Sequence, residues 1–229
     1  PELVDAPKVS AHLRSVAETI NDKSYIEVGW PCYSHIPCFI KQFGNKVRVV
    51  HLVRHPVTVA ASLTTHDFYL PENRNGFNLY GTLTPETRGT IMQGYRSRWE
   101  TMSRFEKCLF HWAEINLYGL WLRDQYKHTP FLMLKAENLF ENPEKVYRDL
   151  IAFMGLPVPE TMVVDSKRVD KFSKKTRDEI DPGLLKQHPV VIELMEKFSY
   201  HDTSLPEEVI RRYKKDNRLN TWLKKLVGR

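Results

Sequence analysis

Apolar and polar positions follow two rhythms along this chain, one helical and one suited to short strands. Val9, Leu13, Val16, Ala17 and Ile20 recur at helical spacing and predict an amphipathic helix over 7–20, broken by Asn21 and Asp22. Tyr25 to Val28 predicts a short strand closed by Gly29. A turn-rich loop with Pro31 and Pro37 then leads to a short helix that runs through Phe43 and stops at Gly44 and Asn45. Lys46 to Val53 is rich in valine and lacks clean alternation, the pattern of a strand covered on both faces in a parallel sheet. This run delivers Arg54. Pro56 stands near the first helical position, where its missing N–H does no harm, and the helix it opens is predicted to reach Thr65 with Ser62 on an early turn.

The segment 67–94 holds four glycines and two prolines, too long for a simple connector and of the kind that carries function. Its Phe68, Tyr69, Arg74 and Tyr80 would suit contact with an acceptor molecule. A long helix is predicted over 97–126, with Met102, Phe105, Leu109, Trp112, Asn116 and Leu120 on one mostly apolar face. Phe131 to Leu134 predicts a second buried strand. A helix follows that is capped by Asn142, opened by Pro143 and Glu144, striped by Val146, Leu150, Phe153 and Met154, and ended by Gly155. Beyond Pro157 the chain turns polar; residues 165–178 carry six Lys or Arg and predict a loop, and helices are expected over 189–198 and 206–223. Strands alternating with helices predict one α/β domain over 1–229, with a mainly parallel central sheet flanked by helices.

Composition narrows this little. At 41% hydrophobic and 27% charged the 229 residues suit a soluble globular protein, and no apolar run approaches the roughly 18–20 residues of a membrane span. The net charge of +6 favours an anionic partner without choosing one. Basic residues are spread along the chain and form no nucleic-acid motif, so no nucleic-acid partner is expected. Cys32, Cys38 and Cys108 form no zinc pattern, and no metal is expected. Cys32 and Cys38 could bridge, or all three could be buried thiols, and the second reading places the chain in a reducing, cytoplasmic setting.

The chemistry sits first at Arg54 and Ser62. An arginine at a strand end offers a planar fork of donors to phosphate oxygens, and the helix N-terminus after it favours an anion. A surface arginine followed by an ordinary helix serine would read the same way.

The segment KVRVVHLVRHPVTVAASL resembles the 3′-phosphate-binding strand and helix of sulfotransferases that use 3′-phosphoadenosine 5′-phosphosulfate (PAPS), with the serine eight residues after the arginine. The later stretch FLMLKAENLFENPEKVYRDLIAFMGLP is similar to that family's second common block: Glu137, Asn138 and Leu139 fit its turn, Asn142, Pro143 and Glu144 its helix start, and Phe153, Gly155 and Leu156 its end. The resemblance covers about residues 25–157. It implies a P-loop nucleotide hydrolase-like three-layer sandwich and transfer of a sulfuryl group from PAPS to a hydroxyl or amine. The acceptor is then a small molecule, a lipid or a carbohydrate. It places Arg54 and Ser62 on the nucleotide, with Lys174 and Lys175, beside Lys171 and Arg177, closing over it. Glu27, at the end of its strand, is the first choice of catalytic base and His35 the second. The family's Gly-x-x-Arg/Lys-Ser-Gly-Thr loop for the 5′-phosphosulfate has no counterpart here. Because the chain opens on Pro1, that strand, loop and helix are expected upstream, with this chain the C-terminal major part. The alternatives are an inactive nucleotide- or glycan-binding relative and, less favoured without a Walker-type loop, a nucleotide kinase-like phosphotransferase. Oligomeric state is not legible.

Overall fold

The valine-rich run forms a five-residue strand, Val49–Val53 (β1), paired in parallel with Phe131–Lys135 (β2) in the register Val49 to Phe131 through Val53 to Lys135. The computed structural model describes residues 7–72, 81–164, 175–176, 178–201, 211 and 213. Around these strands the chain folds as helices α1 (Pro7–Thr19), α2 (Ile36–Phe43), α3 (Pro56–Thr65), α4 (Arg104–Gln125), α5 (Asn138–Glu141), α6 (Pro143–Phe153) and α7 (Pro189–Lys197). Tighter 3₁₀ segments occupy Trp30–His35, Gly44–Lys46, Gln93–Thr101 and Pro182–Gln187. No helix among the described residues is long and apolar enough to cross a membrane. The helix expected over 206–223 lies almost wholly outside the described residues.

The chain divides into two compact units, and α4 contributes to both. The first unit takes the described residues within 1–54, 83–93 and 114–168. Its sheet buries Val49 and Val53 while Val50 and Leu52 stand 38% and 53% exposed. The strand therefore alternates, with one covered face and one open face, instead of being covered on both. His51 sits on the covered face, its Nε2 3.0 Å from Asn116 Oδ1 of α4, and Gly119 passes so close under the imidazole that a Cβ there would lie 2.6 Å from it. The segment Tyr25–Val28 is irregular, not a strand. Ile26 is 58% and Val28 88% exposed, so little burial is available to offset the cost of ordering them in a sheet.

The second unit takes the described residues within 55–82, 94–113 and 169–229. Phe68, Phe105, Leu109, Phe110, Leu185, Val191, Met195 and Phe198 are all but fully buried in it. Each such side chain contributes about 1.5–3 kcal/mol through its removal from water. The long helix begins at Arg104 and not at 97, because Ser103 and Glu106 close a capping box. The Ser103 N–H donates to Glu106 Oε2 at 2.8 Å, and the Glu106 N–H donates to the Ser103 hydroxyl at 3.2 Å. Asn142, by contrast, occupies the N-cap position of α6 without a side-chain hydrogen bond to it. None of the three cysteines is in a disulfide; Cys38 and Cys108 are buried, and Cys32 is half-buried with its thiol 2.7 Å from the Gly29 carbonyl. Burial pushes the Cys108 thiol up to about 12.

Candidate functional site

β1 ends where the Val53 carbonyl accepts the Ala136 N–H at 2.7 Å, which fixes the strand exit against the chain leaving β2. Arg54 follows, half-buried, as the last residue of that stretch of the first unit. α3 starts two residues later with Pro56 in its first turn, and His55 at the N-cap position supplies no side-chain bond. Pro56 has no N–H to offer. Helix geometry leaves the Val57 and Thr58 N–H groups without an intrahelical acceptor, so the positive end of α3 carries no side-chain cap. Ser62 is the seventh of the ten residues of α3. At 1.5 Å per residue that is about 9 Å from the helix start, further along than an early turn. It lies in the second unit, half-buried.

Glu27 is not at a strand end, because its segment is irregular. Its Oε2 instead accepts the Tyr25 hydroxyl at 3.1 Å and lies 3.1 Å from His12 Nε2, while the Tyr25 ring stacks on Phe39 with centroids 6.4 Å apart. The carboxylate is thus held by a phenol and an imidazole from α1, a partnership that spacing alone could not reveal. Burial foremost, then the Glu27 bond, raises the Tyr25 hydroxyl above its ordinary pKa. His35 closes the 3₁₀ segment Trp30–His35 and takes the N-cap position of α2 with no side-chain cap bond. Lys175 is exposed, and Lys174 lies outside the described residues.

Several buried polar groups were not singled out from the sequence. In the second unit, His188 places Nδ1 3.2 Å from the Tyr95 hydroxyl and Nε2 3.3 Å from Glu106 Oε1, which also accepts Arg98 at 3.1 Å. Burial opposes ionisation of Glu106, yet the two Ser103 bonds and His188 together hold its pKa below the usual range. Burial lowers His188, with Arg98 adding to the effect. His111 is driven down to about 4 by burial. In the first unit, Glu114 accepts the N–H groups of Ile91 and Met92, yet burial still leaves its carboxyl above the ordinary pKa. The Ser-x-x-Glu spacing of the capping box was visible in the sequence; Arg98 and Glu106 are 8 positions apart, and the contacts of His188 and Glu114 join residues 22 to 93 positions apart and leave no local signal.

An open depression of about 480 Å³ at the start of α6, lined by Glu141, Asn142, Glu144, Lys145 and Arg148, takes in the helix start of the second block but none of Glu27, His35, Arg54, Ser62 and Lys175. Among the described residues no three His, Cys, Asp or Glu side chains gather to hold a metal ion. No curated protein and no solved structure matches the chain. A family model described as Sulfotransferase domain matches residues 13–183, well over half of the chain, and takes in both β1 with Arg54 and the β2–α6 block. With its parallel strands and flanking helices, this chain belongs to the sulfotransferase domain family, whose fold is of the P-loop-like α/β type.

Proposed function

We propose that this chain moves a sulfuryl group from PAPS to a hydroxyl or amine acceptor. What carries the reading is the succession of a parallel strand, Arg54 and a helix start without a side-chain cap, inside the family match. Arg54 and Ser62 bind the 3′-phosphate, and Lys175, with Lys174, adds positive charge to the nucleotide. The acceptor oxygen or nitrogen attacks sulfur in line, and the bond from sulfur to the 5′-phosphate oxygen breaks. 3′,5′-Adenosine bisphosphate leaves, and the acceptor proton passes to a carboxylate. Glu27 takes that role, its Oε2 held by the Tyr25 hydroxyl and lying 3.1 Å from His12 Nε2. The pKa of Tyr25, raised by burial and by Glu27, keeps its hydroxyl a donor to that carboxylate at neutral pH. His35 is the second choice for the base. The acceptor is a small molecule, a lipid or a carbohydrate.

A second reading, nucleotide binding without transfer, follows from the absence of a Gly-x-x-Arg/Lys-Ser-Gly-Thr loop in residues 1–229. One experiment addresses both. Titration with 3′,5′-adenosine bisphosphate raises the melting temperature, as any ligand selective for the folded state must, by several degrees at saturating ligand. Arg54→Ala removes most of that shift. With PAPS and an acceptor, Glu27→Gln retains binding and lowers turnover roughly 10²-fold or more, the scale of a lost general base. No shift at millimolar bisphosphate defeats the proposal, a shift without any turnover favours the binding-only reading, and full activity of Glu27→Gln returns the base to His35.

A further inference from the structure

We infer that Arg104 and Asp178 form a latch that holds Lys175 in place for the donor nucleotide, so that Arg104 and Asp178 are positioning residues acting through Lys175. The inference rests on the proposed reading of Lys175 and Ser62 as nucleotide ligands. Its geometry lies entirely within the second unit.

On one side, the Arg104 guanidinium gathers the end of α3. Its Nη2 donates to the Thr64 carbonyl at 3.0 Å, and its Nε donates to the Phe68 carbonyl at 3.0 Å. A cation at the last carbonyls of a helix meets the negative end of the dipole. The turn between these two carbonyls is unusual. Asp67 and Tyr69 both adopt left-handed backbone, with φ of 61° and 58°. Non-glycine residues enter that region at a steric cost and stay there only where surrounding bonds hold them. Arg104 bridges the turn, and its Nη2 lies 3.8 Å from the Asp67 carboxylate.

On the other side, Arg104 Nη1 donates to Asp178 Oδ2. The Asp178 N–H donates to the Thr176 hydroxyl at 3.1 Å, and the buried Thr176 N–H donates to the Tyr213 carbonyl at 2.8 Å. Lys175 is exposed immediately before that anchored threonine. One guanidinium therefore ties the backbone that presents Lys175 to the helix that carries Ser62. The Arg104 side chain is only 16% exposed and is bound to two carbonyls whether or not Asp178 is charged, while Asp178 is 36% exposed. Neutralising Asp178 thus opens the Lys175 side of the latch and leaves the α3 side closed.

A double-mutant cycle tests this with 3′,5′-adenosine bisphosphate as the probe and dissociation constants as the readout. Asp178→Asn is expected to weaken binding about three- to tenfold, the scale of one ordinary net hydrogen bond, while the ligand-free protein still melts cooperatively. Lys175→Ala is expected to weaken binding comparably, and the double variant no further than Lys175→Ala alone. Asp178→Glu, which keeps the carboxylate, is expected to bind close to wild type. A merely structural role for Asp178 would not make its effect vanish in the Lys175→Ala background. Wild-type affinity in Asp178→Asn, or losses that multiply in the double variant, overturn the latch. Binding by wild type that Arg54→Ala abolishes but Asp178→Asn does not touch removes the latch and keeps the proposed function. Failure of wild type to bind removes both.

Discussion

Burial makes His111 a proton-sensitive residue that the proposed reaction does not use. The unfolded chain takes up a proton at this site near pH 6.5, whereas the folded chain does so only near 4. The unfolded state therefore binds more protons across that window, and stability falls as pH drops from about 6.5 towards 4. His51 and His188, both lowered chiefly by burial, pull in the same direction. Denaturant melts between pH 7 and pH 4 should show a loss of about 3 kcal/mol attributable to His111. His111→Phe, which keeps an aromatic ring beside Phe68 and Tyr69, should flatten that part of the profile; an unchanged slope would assign it to other groups. Residues differ sharply in how far the sequence exposes their roles. Arg54 was legible because its strand, its proline and its helix are consecutive. Arg104 was not, because Thr64, Phe68 and Asp178 lie 40, 36 and 74 positions away. The partners of Glu27 were hidden for the same reason: whether a carboxylate meets His12 depends on how α1 packs, which no spacing encodes.

Elements whose ends are written in local chemistry came through well. Pro56 and Pro143 open helices where predicted, and the α3 helix ends at Thr65 as its pattern indicates. Where packing decides, the pattern misled. Tyr25–Val28 has strand composition but stays irregular and exposed, and the valine run is covered on one face only. The contact of β1 with α4 explains how that single face is held. Gly119, in the interior of α4, would ordinarily gain about 1 kcal/mol of helix stability on replacement by alanine. Here the added Cβ would lie 2.6–2.9 Å from three atoms of the His51 imidazole, whose Nε2 is bound to Asn116. The ring cannot swing away without breaking that bond. Gly119→Ala is therefore expected to destabilise by about 1–3 kcal/mol, the usual cost of overpacking. A gain in denaturation midpoint would mean that strand and helix yield more easily than the geometry implies.

At the scale of the whole molecule, the family match runs from 13 to 183 and so draws on both compact units, while the charge of +6 accords with an anionic donor in either. The three thiols are spread unevenly across this architecture. Cys32 is partly open to solvent in the first unit, Cys38 is buried in the same unit, and Cys108 is fully buried in the second with its thiol held up near 12. Alkylating reagents need an accessible thiolate. Burial and the nearby Glu27 raise the Cys32 thiol above its ordinary pKa, so iodoacetamide treatment of the native protein, followed by mass spectrometry, should label Cys32 first and faster as pH rises above about 8. The labels on Cys38 and Cys108 then arrive only as fast as each unit opens. Comparing their two time courses would say whether the two units unfold in one event or two, with no probe attached beforehand.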